Sequence, residues 1–223
     1  MEEPITEFAF IECIRPECQF RFPYINYEDP KLLSKDSIYC PKCGSDTNIA
    51  ARSSPQTHHS PRSLQPASLR VCALVDNIRS AFNVGAVFRT ADGCHFEHIH
   101  LCGITPTPEN QRVAKTALGA ENIVPWSFHP NSIQTAKELR KDGWLLLCLE
   151  NSPHANSIFS STSEEIDAPI ALIIGNEIAG VDPQLIAMCD RILNIPMLGY
   201  KRSLNAAIAF GIAAYHLRFS VQR

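Results

Sequence analysis

With 223 residues, 45% of them hydrophobic, the chain has room for one medium domain plus a small appendage. A formal net charge of −3 gives no broad basic face, so a polyanion would have to be gripped by a local cluster. No apolar run approaches the roughly 20 residues that span a bilayer, the opening MEEPITEFAF is acidic where a secretory signal is basic, and nine cysteines do not pair into a secreted disulfide scaffold, which leaves a reducing cytoplasm as the expected compartment.

In chain order, residues 1–49 hold nine acids against five bases and two cysteine pairs, Cys13/Cys18 and Cys40/Cys43, in the pattern C-x4-C…C-x2-C. The second pair sits in YCPKCG, where Pro and Gly shape a knuckle that lets both thiolates face one ion. Four thiolates suit tetrahedral zinc in a closed structural site, and the same ligands also accept iron. So short a segment has too little core to stand without a staple. Phe8, Phe10, Phe20, Phe22, Tyr24 and Tyr39 supply material for short strands around the metal. No βαβ pattern surrounds Cys40/Cys43, which disfavours a redox disulfide. The acidic balance makes a protein partner as plausible for this module as RNA.

Residues 50–69 carry three prolines and several serines with no apolar periodicity, which reads as a flexible linker in which His58 and His59 are solvated. From Arg70 onward, apolar strand-like runs at 71–75, 98–102, 144–149, 170–174 and 192–195 alternate with helical patterns at 84–94, 111–118, 132–141 and 183–189. Near-continuous apolar strands separated by helices specify a mostly parallel sheet flanked by helices on both faces, an α/β domain. Ligands of such sheets bind beyond the carboxyl ends of the strands.

Three loops leaving strands carry unusual polar residues. The first, 76–92, reads DNIRSAFNVGAVFRTAD. Here Asn83 is placed to cap a helix and Gly85 admits another backbone. Arg89, on an otherwise apolar helix, either pairs with Asp92 or Glu177 or aims at a phosphate, and spacing alone favours the ion pair. The second, GNEIAGVDP at 175–183, is a rigid ligand-facing loop closed by a Pro-started helix. Glu177 in it is a candidate general base or hydrogen-bond acceptor. The third, 195–217, runs from Ile195-Pro196-Met197 through Lys201 and Arg202 into Ser203-Leu204-Asn205 and an Ala-rich helix for which Ser203 is a good N-cap. Neither a dinucleotide nor a P-loop fingerprint is present, and Cys72, Cys94, Cys102, Cys148 and Cys189 lie in apolar runs as core residues.

Taken together, N-x-G-x-x-x-R-T, G-N-E-x-x-G-[VL] and I-P-M-x-G-x-x-x-S-L-N-x-x-x-A, with T-A-L-G-A at 116–120, resemble the SpoU-type RNA ribose 2′-O-methyltransferases of the knotted SPOUT superfamily. The resemblance covers about 70–219 and implies a C-terminal trefoil knot, against the general rule for connections. It also implies S-adenosylmethionine in the knot, an RNA substrate and a homodimer. By that pattern Gly175, Asn176, Ile195, Met197, Ser203 and Leu204 line the cofactor pocket, and Asn83, Arg89, Glu177, Ser203 and Asn205 match the functional polar positions. Arg89 would engage the target hydroxyl and its phosphate, Asn83 and Glu177 would orient it, and Ser203 and Asn205 would fix the cofactor loop. The expected organisation is a zinc-ribbon-like module at 1–49, the linker at 50–69 and a methyltransferase domain at 70–223. Small size leans towards tRNA over rRNA. A non-catalytic RNA-binding or ribosome-assembly module with the same fold is the other reading, and the undegraded motif positions count against it.

Overall fold

A computed structural model describes residues 8–25, 38–53, 69–160 and 168–220. The chain divides into two compact units, Met1–Ser63 and Leu64–Arg223.

Strands β1 (Phe8–Cys13), β2 (Arg21–Ile25) and β3 (Thr47–Ser53) of the first unit form an antiparallel sheet in the order β2-β1-β3. Alternation along β1 buries Ala9, Ile11 and Cys13 and leaves Phe10 outside. Between Phe10 and Ile11 the register on β3 slips, from Phe10↔Ala51 to Ile11↔Ile49, as a bulge. The linker expected from residue 50 therefore starts later, because Ala51 and Arg52 continue the ladder opposite Phe10 and Ala9. Residues 54–68, with His58 and His59, lie outside the described residues.

The second unit is built on a seven-stranded sheet. Its strands are β4 (Val71–Asp76), β5 (His98–Cys102), β6 (Trp126–His129), β7 (Leu145–Leu149), β8 (Asn156–Ser157), β9 (Ile170–Ile174) and β10 (Arg191–Asn194). They run in the order β6-β5-β4-β9-β7-β10-β8 and every pairing is parallel. Every residue of β4 is buried because the strand is covered on both sides. Val71, Ala73 and Val75 face one core with α1 (Ala81–Gly93), α2 (Gln111–Ala117) and α5 (Ala206–Ser220), whereas Cys72 and Leu74 face a second core with α3 (Ser132–Lys141) and α4 (Pro183–Ile186). The expected α/β architecture is observed. Two strands were not legible in the sequence: β6 is four residues long and β8 two, too short for periodicity to register. Residues 161–167, between β8 and β9, lie outside the described residues.

Two helix starts differ from expectation. Helix α1 begins at Ala81, and Ser80 caps it by accepting the Asn83 amide at 3.4 Å, which frees the Asn83 side chain. Helix α5 begins at Ala206, and its cap is Asn205, whose Oδ1 accepts from Ala207 N at 3.0 Å and Ile208 N at 3.3 Å. Ser203 lies too far upstream for that geometry. Gly85 allows α1 and α2 to touch, since a Cβ there would lie 2.5 Å from the Val113 carbonyl oxygen. The Ala-rich side of α5 is spent internally, with Phe210, Ala213, Ala214 and Leu217 in the first core. Its last turn is tied down by buried Arg218, which donates to the carbonyls of Cys94, Leu69 and His95 at 2.6, 2.7 and 2.7 Å.

Candidate functional site

The carboxyl ends of neighbouring strands β4, β9, β7 and β10 release four loops on one edge of the sheet, and these loops are bound to one another by side chains. Glu177, in the loop after β9, is the hub between β9 and α1. Its Oε2 accepts the Arg79 amide at 2.9 Å, and its Oε1 accepts the Ser80 amide at 3.0 Å and Asn83 Nδ2 at 2.9 Å. Asn83 Oδ1 in turn accepts Asn205 Nδ2 at 3.0 Å. Three positions that lie far apart in sequence thus form one line from the β9 loop through α1 to the first turn of α5.

The β9 loop is stiff for local reasons. Asn176 and Gly180 close it with paired backbone bonds of 3.0 and 2.9 Å, while Asn176 Oδ1 accepts the amides of Ile178 and Ala179, both at 3.0 Å. Asn176 Nδ2 reaches the Asn77 carbonyl at 2.7 Å. On the other side Glu150, at the end of β7, accepts the Val181 amide at 2.9 Å through Oε2 and the Asn151 amide at 2.9 Å through Oε1. Gly180 makes room for it: its φ is +75° and a Cβ would meet Glu150 Oε2 at 2.5 Å. Asn151 Nδ2 donates to the Arg202 carbonyl at 2.7 Å and so fastens the β10–α5 loop as well.

These loops enclose a cleft of about 230 Å³. Gly175, Asn176, Ile195, Met197, Ser203 and Leu204 all line it, so the sequence-derived cofactor set is brought together. Glu177 lines it too, together with Glu150 and Asn151, which sequence reasoning missed. The signal was available as a polar pair, Glu150-Asn151, immediately following the apolar run LLLCL. A second cleft, of about 400 Å³, is bounded by Arg79, Ser80, Asn83, Glu177 and Ile178 and shares Glu177 and Ile178 with the first.

Burial acts to raise the Glu177 carboxyl, but the donors from Arg79, its own backbone, Ser80 and Asn83 outweigh it and hold the group below the ordinary carboxylate value. An ionised carboxylate whose oxygens already accept several bonds is an orienting acceptor and a poor proton acceptor. Arg89 stands apart. It is exposed on α1, and among the described residues it forms no ion pair with Asp92 or Glu177, contrary to the pairing that spacing favoured. The oxygens of Glu177 are occupied by donors from residues 79–83, which accounts for the missing pair.

In the first unit the four cysteines converge as expected. Their sulfur atoms all lie within 4.8 Å of one another, with Cys13–Cys43 at 3.5 Å and Cys18–Cys40 at 3.8 Å. A tetrahedron with metal–sulfur arms of about 2.3 Å has edges of about 3.8 Å, so the donor set is compatible with zinc. Bonds from Ser45 hold the Cys43 thiol down to about 6, whereas burial pushes Cys13 up to about 12. The turn between the second pair is closed by Gly44 N donating to the Cys40 carbonyl at 2.8 Å.

Comparison with known proteins gives a consistent picture. The SpoU rRNA Methylase family matches residues 70–215. A Bacillus subtilis (strain 168) protein described as 23S rRNA (guanosine(2553)-2′-O)-methyltransferase RlmP is 32% identical over 154 residues, which cover 68% of this chain and 59% of that protein. The crystal structure of an AdoMet-bound rRNA methyltransferase from Sinorhizobium meliloti superposes with a TM-score of 0.63 at 25% identity, over 69% of this chain and 57% of that one. The A. aeolicus TrmH/SpoU tRNA modifying enzyme shares the fold, with a TM-score of 0.60 at 23% identity over 66% of this chain and 73% of the other. The chain spans less than two thirds of the curated relatives it matches.

Proposed function

The chain belongs to the SpoU rRNA Methylase family, and from that premise we propose that it transfers a methyl group from S-adenosylmethionine to a ribose 2′-hydroxyl of RNA, in tRNA or rRNA, with tRNA favoured. The observation that carries the reading is the line Glu177–Asn83–Asn205 at the mouth of the cleft, where three family-motif positions are bonded to one another.

S-adenosylmethionine, when bound, supplies an already activated methyl group, so positioning and electrostatics carry most of the rate. Gly175, Asn176, Ile195, Met197, Ser203 and Leu204 would hold it. The cleft offers them as apolar wall and backbone polar groups in a loop that Glu150 and Asn151 keep shut. Glu177 stays ionised and fixes Asn83, and Asn83 with Asn205 keeps α1 and α5 in register beside the cleft. Arg89 is the residue for the substrate: exposed and without a partner among the described residues, it suits a phosphate next to the target ribose better than proton abstraction.

The same reading includes a homodimer. It is supported by the stripe Ile208, Tyr215 and Phe219 on α5, all more than half exposed, with the last two rings stacked at 5.6 Å between centroids. It also includes a structural zinc on Cys13, Cys18, Cys40 and Cys43, a protein or RNA contact for that module, and a cytoplasmic setting. Among the described residues no helix is long and apolar enough to cross a membrane. Calorimetry tests the proposal: the protein should bind S-adenosylmethionine, and Arg89→Ala should keep that binding while methylation falls by at least about a hundredfold. Absence of cofactor binding to the wild-type protein would favour a non-catalytic RNA-binding module.

A further inference from the structure

We infer that the cleft bounded by Arg79, Ser80, Asn83, Glu177 and Ile178 takes the phosphodiester backbone of the substrate RNA beside the ribose, with Arg79 as its phosphate ligand. The inference rests on the methyltransferase reading and assigns the half of the site that the family motifs leave undescribed.

The cleft is contiguous with the cofactor cleft, since Glu177 and Ile178 border both, and Ile178 is 79% exposed on the shared rim. A strand whose ribose faces the cofactor cleft can lay a neighbouring phosphate over that rim. Two charged residues border the second cleft, and their charges are differently engaged. Glu177 already accepts from the amides of Arg79 and Ser80 and from Asn83 Nδ2. The Arg79 guanidinium is exposed and among the described residues has neither a hydrogen bond nor an ion pair. The backbone beneath it, in contrast, is pinned by the 2.9 Å bond from its own amide to Glu177. An arginine with a fixed root and an unspent planar fork is suited to a phosphate, where it can donate two parallel bonds. Arg79 borders the second cleft whereas Arg89 borders neither cleft, so Arg79 is a second anchor on the strand rather than a duplicate of the first.

The test is equilibrium binding of the full-length protein to labelled total tRNA and, separately, total rRNA between 50 and 400 mM KCl. Arg79→Ala should weaken binding about tenfold at 0.1 M salt and lower the slope of log K against log salt by about 0.7 to 0.9, the release expected for one phosphate contact. Arg79→Lys should restore the slope but only part of the affinity. Arg112→Ala, an exposed arginine on α2, should change neither. Calorimetry with S-adenosylmethionine should give the same Kd for Arg79→Ala as for wild type. An unchanged slope for Arg79→Ala, an equal loss in Arg112→Ala, or a weakened cofactor Kd that marks Arg79 as a ligand of the cofactor carboxylate would each overturn the assignment. Wild-type protein that binds neither RNA pool would instead overturn the methyltransferase reading beneath it.

Discussion

Asn205 Nδ2 donates to Asn83 Oδ1 at 3.0 Å, a bond between residues 122 positions apart, while Asn205 Oδ1 caps the first turn of α5. One side chain therefore performs two separable tasks, and substitution can divide them. Asn205→Asp keeps the acceptors that cap Ala207 and Ile208 but has no donor for Asn83. Thermal stability should change by no more than about 0.5 kcal/mol, since an anion at a helix N-terminus is favourable. Methyl transfer should fall by about tenfold or more, and Asn205→Ala should lose both properties. Unchanged methyl transfer in Asn205→Asp would show that the side chain serves only as a cap.

Glu150 and Asn151 should govern cofactor affinity although no family motif contains them. Glu150→Gln replaces one carboxylate oxygen by a donor and cannot serve both the Val181 and Asn151 amides. Loss of about 1 kcal/mol corresponds to roughly fivefold weaker S-adenosylmethionine binding. Asn151→Ala, which frees the Arg202 carbonyl, should act in the same direction. Calorimetry reads both, and an RNA KM that rises while cofactor Kd stays fixed would contradict this role.

Acid should destabilise the second unit through a histidine cluster on β5 and β6. His100 Nδ1 lies 3.1 Å from His129 Nε2, and Ser127 Oγ lies 2.7 Å from His129 Nε2 and 2.8 Å from His98 Nε2. Burial, with His98 and His129 alongside, holds His100 down to about 4, and His98 is lowered by burial first and His129 second. Because the unfolded imidazole takes up its proton near pH 6.5, the unfolded state holds more protons between about 6.5 and 4. Stability from this group is complete above that window and is lost as pH falls through it. His100→Gln should flatten the fall in unfolding free energy between pH 7 and 4.5 by on the order of 1 kcal/mol, discounted for a half-buried ring. An identical acid limb in the variant would exclude His100 as its source.

The four-cysteine site predicts one zinc per chain in metal analysis of freshly purified protein, with Cys40→Ser losing the metal. Chelation should unfold the first unit and leave the second unit's melting transition in place, since both core clusters of the second unit are built without residues of the first. Protein purified with neither zinc nor iron and an intact β1–β3 sheet would refute a metal staple.

Much of this was legible in the sequence because period and motif report local choices. The apolar runs fixed β4, β5, β7, β9 and β10 within a residue or two, and the cysteine spacing anticipated the sulfur cluster. The helix starts were misplaced for a shared reason. Ser80 and Asn205 are as good caps as the residues chosen, and what decided between them is tertiary: Asn83 is needed by Glu177, and Asn205 by Asn83. The polar pair Glu150-Asn151 marked a strand end but not its role, because the cross-loop partner of Glu150, Val181, lies 31 residues away, and Arg79 had no pattern until a cleft formed around it. The α5 stripe shows the same limit. Its Ala-rich side lines the domain's own core, leaving Ile208, Tyr215 and Phe219 outside.

Ribose methylation is read out by transfer of label from S-adenosyl-[methyl-³H]methionine to total RNA from cells lacking the protein. Alkaline hydrolysis follows, which a 2′-O-methyl group blocks at the adjacent phosphodiester. The site geometry predicts label in alkali-resistant dinucleotides from tRNA or rRNA, abolished by Arg89→Ala. Label confined to bases, or none transferred to either RNA by a protein that binds the cofactor, would contradict it.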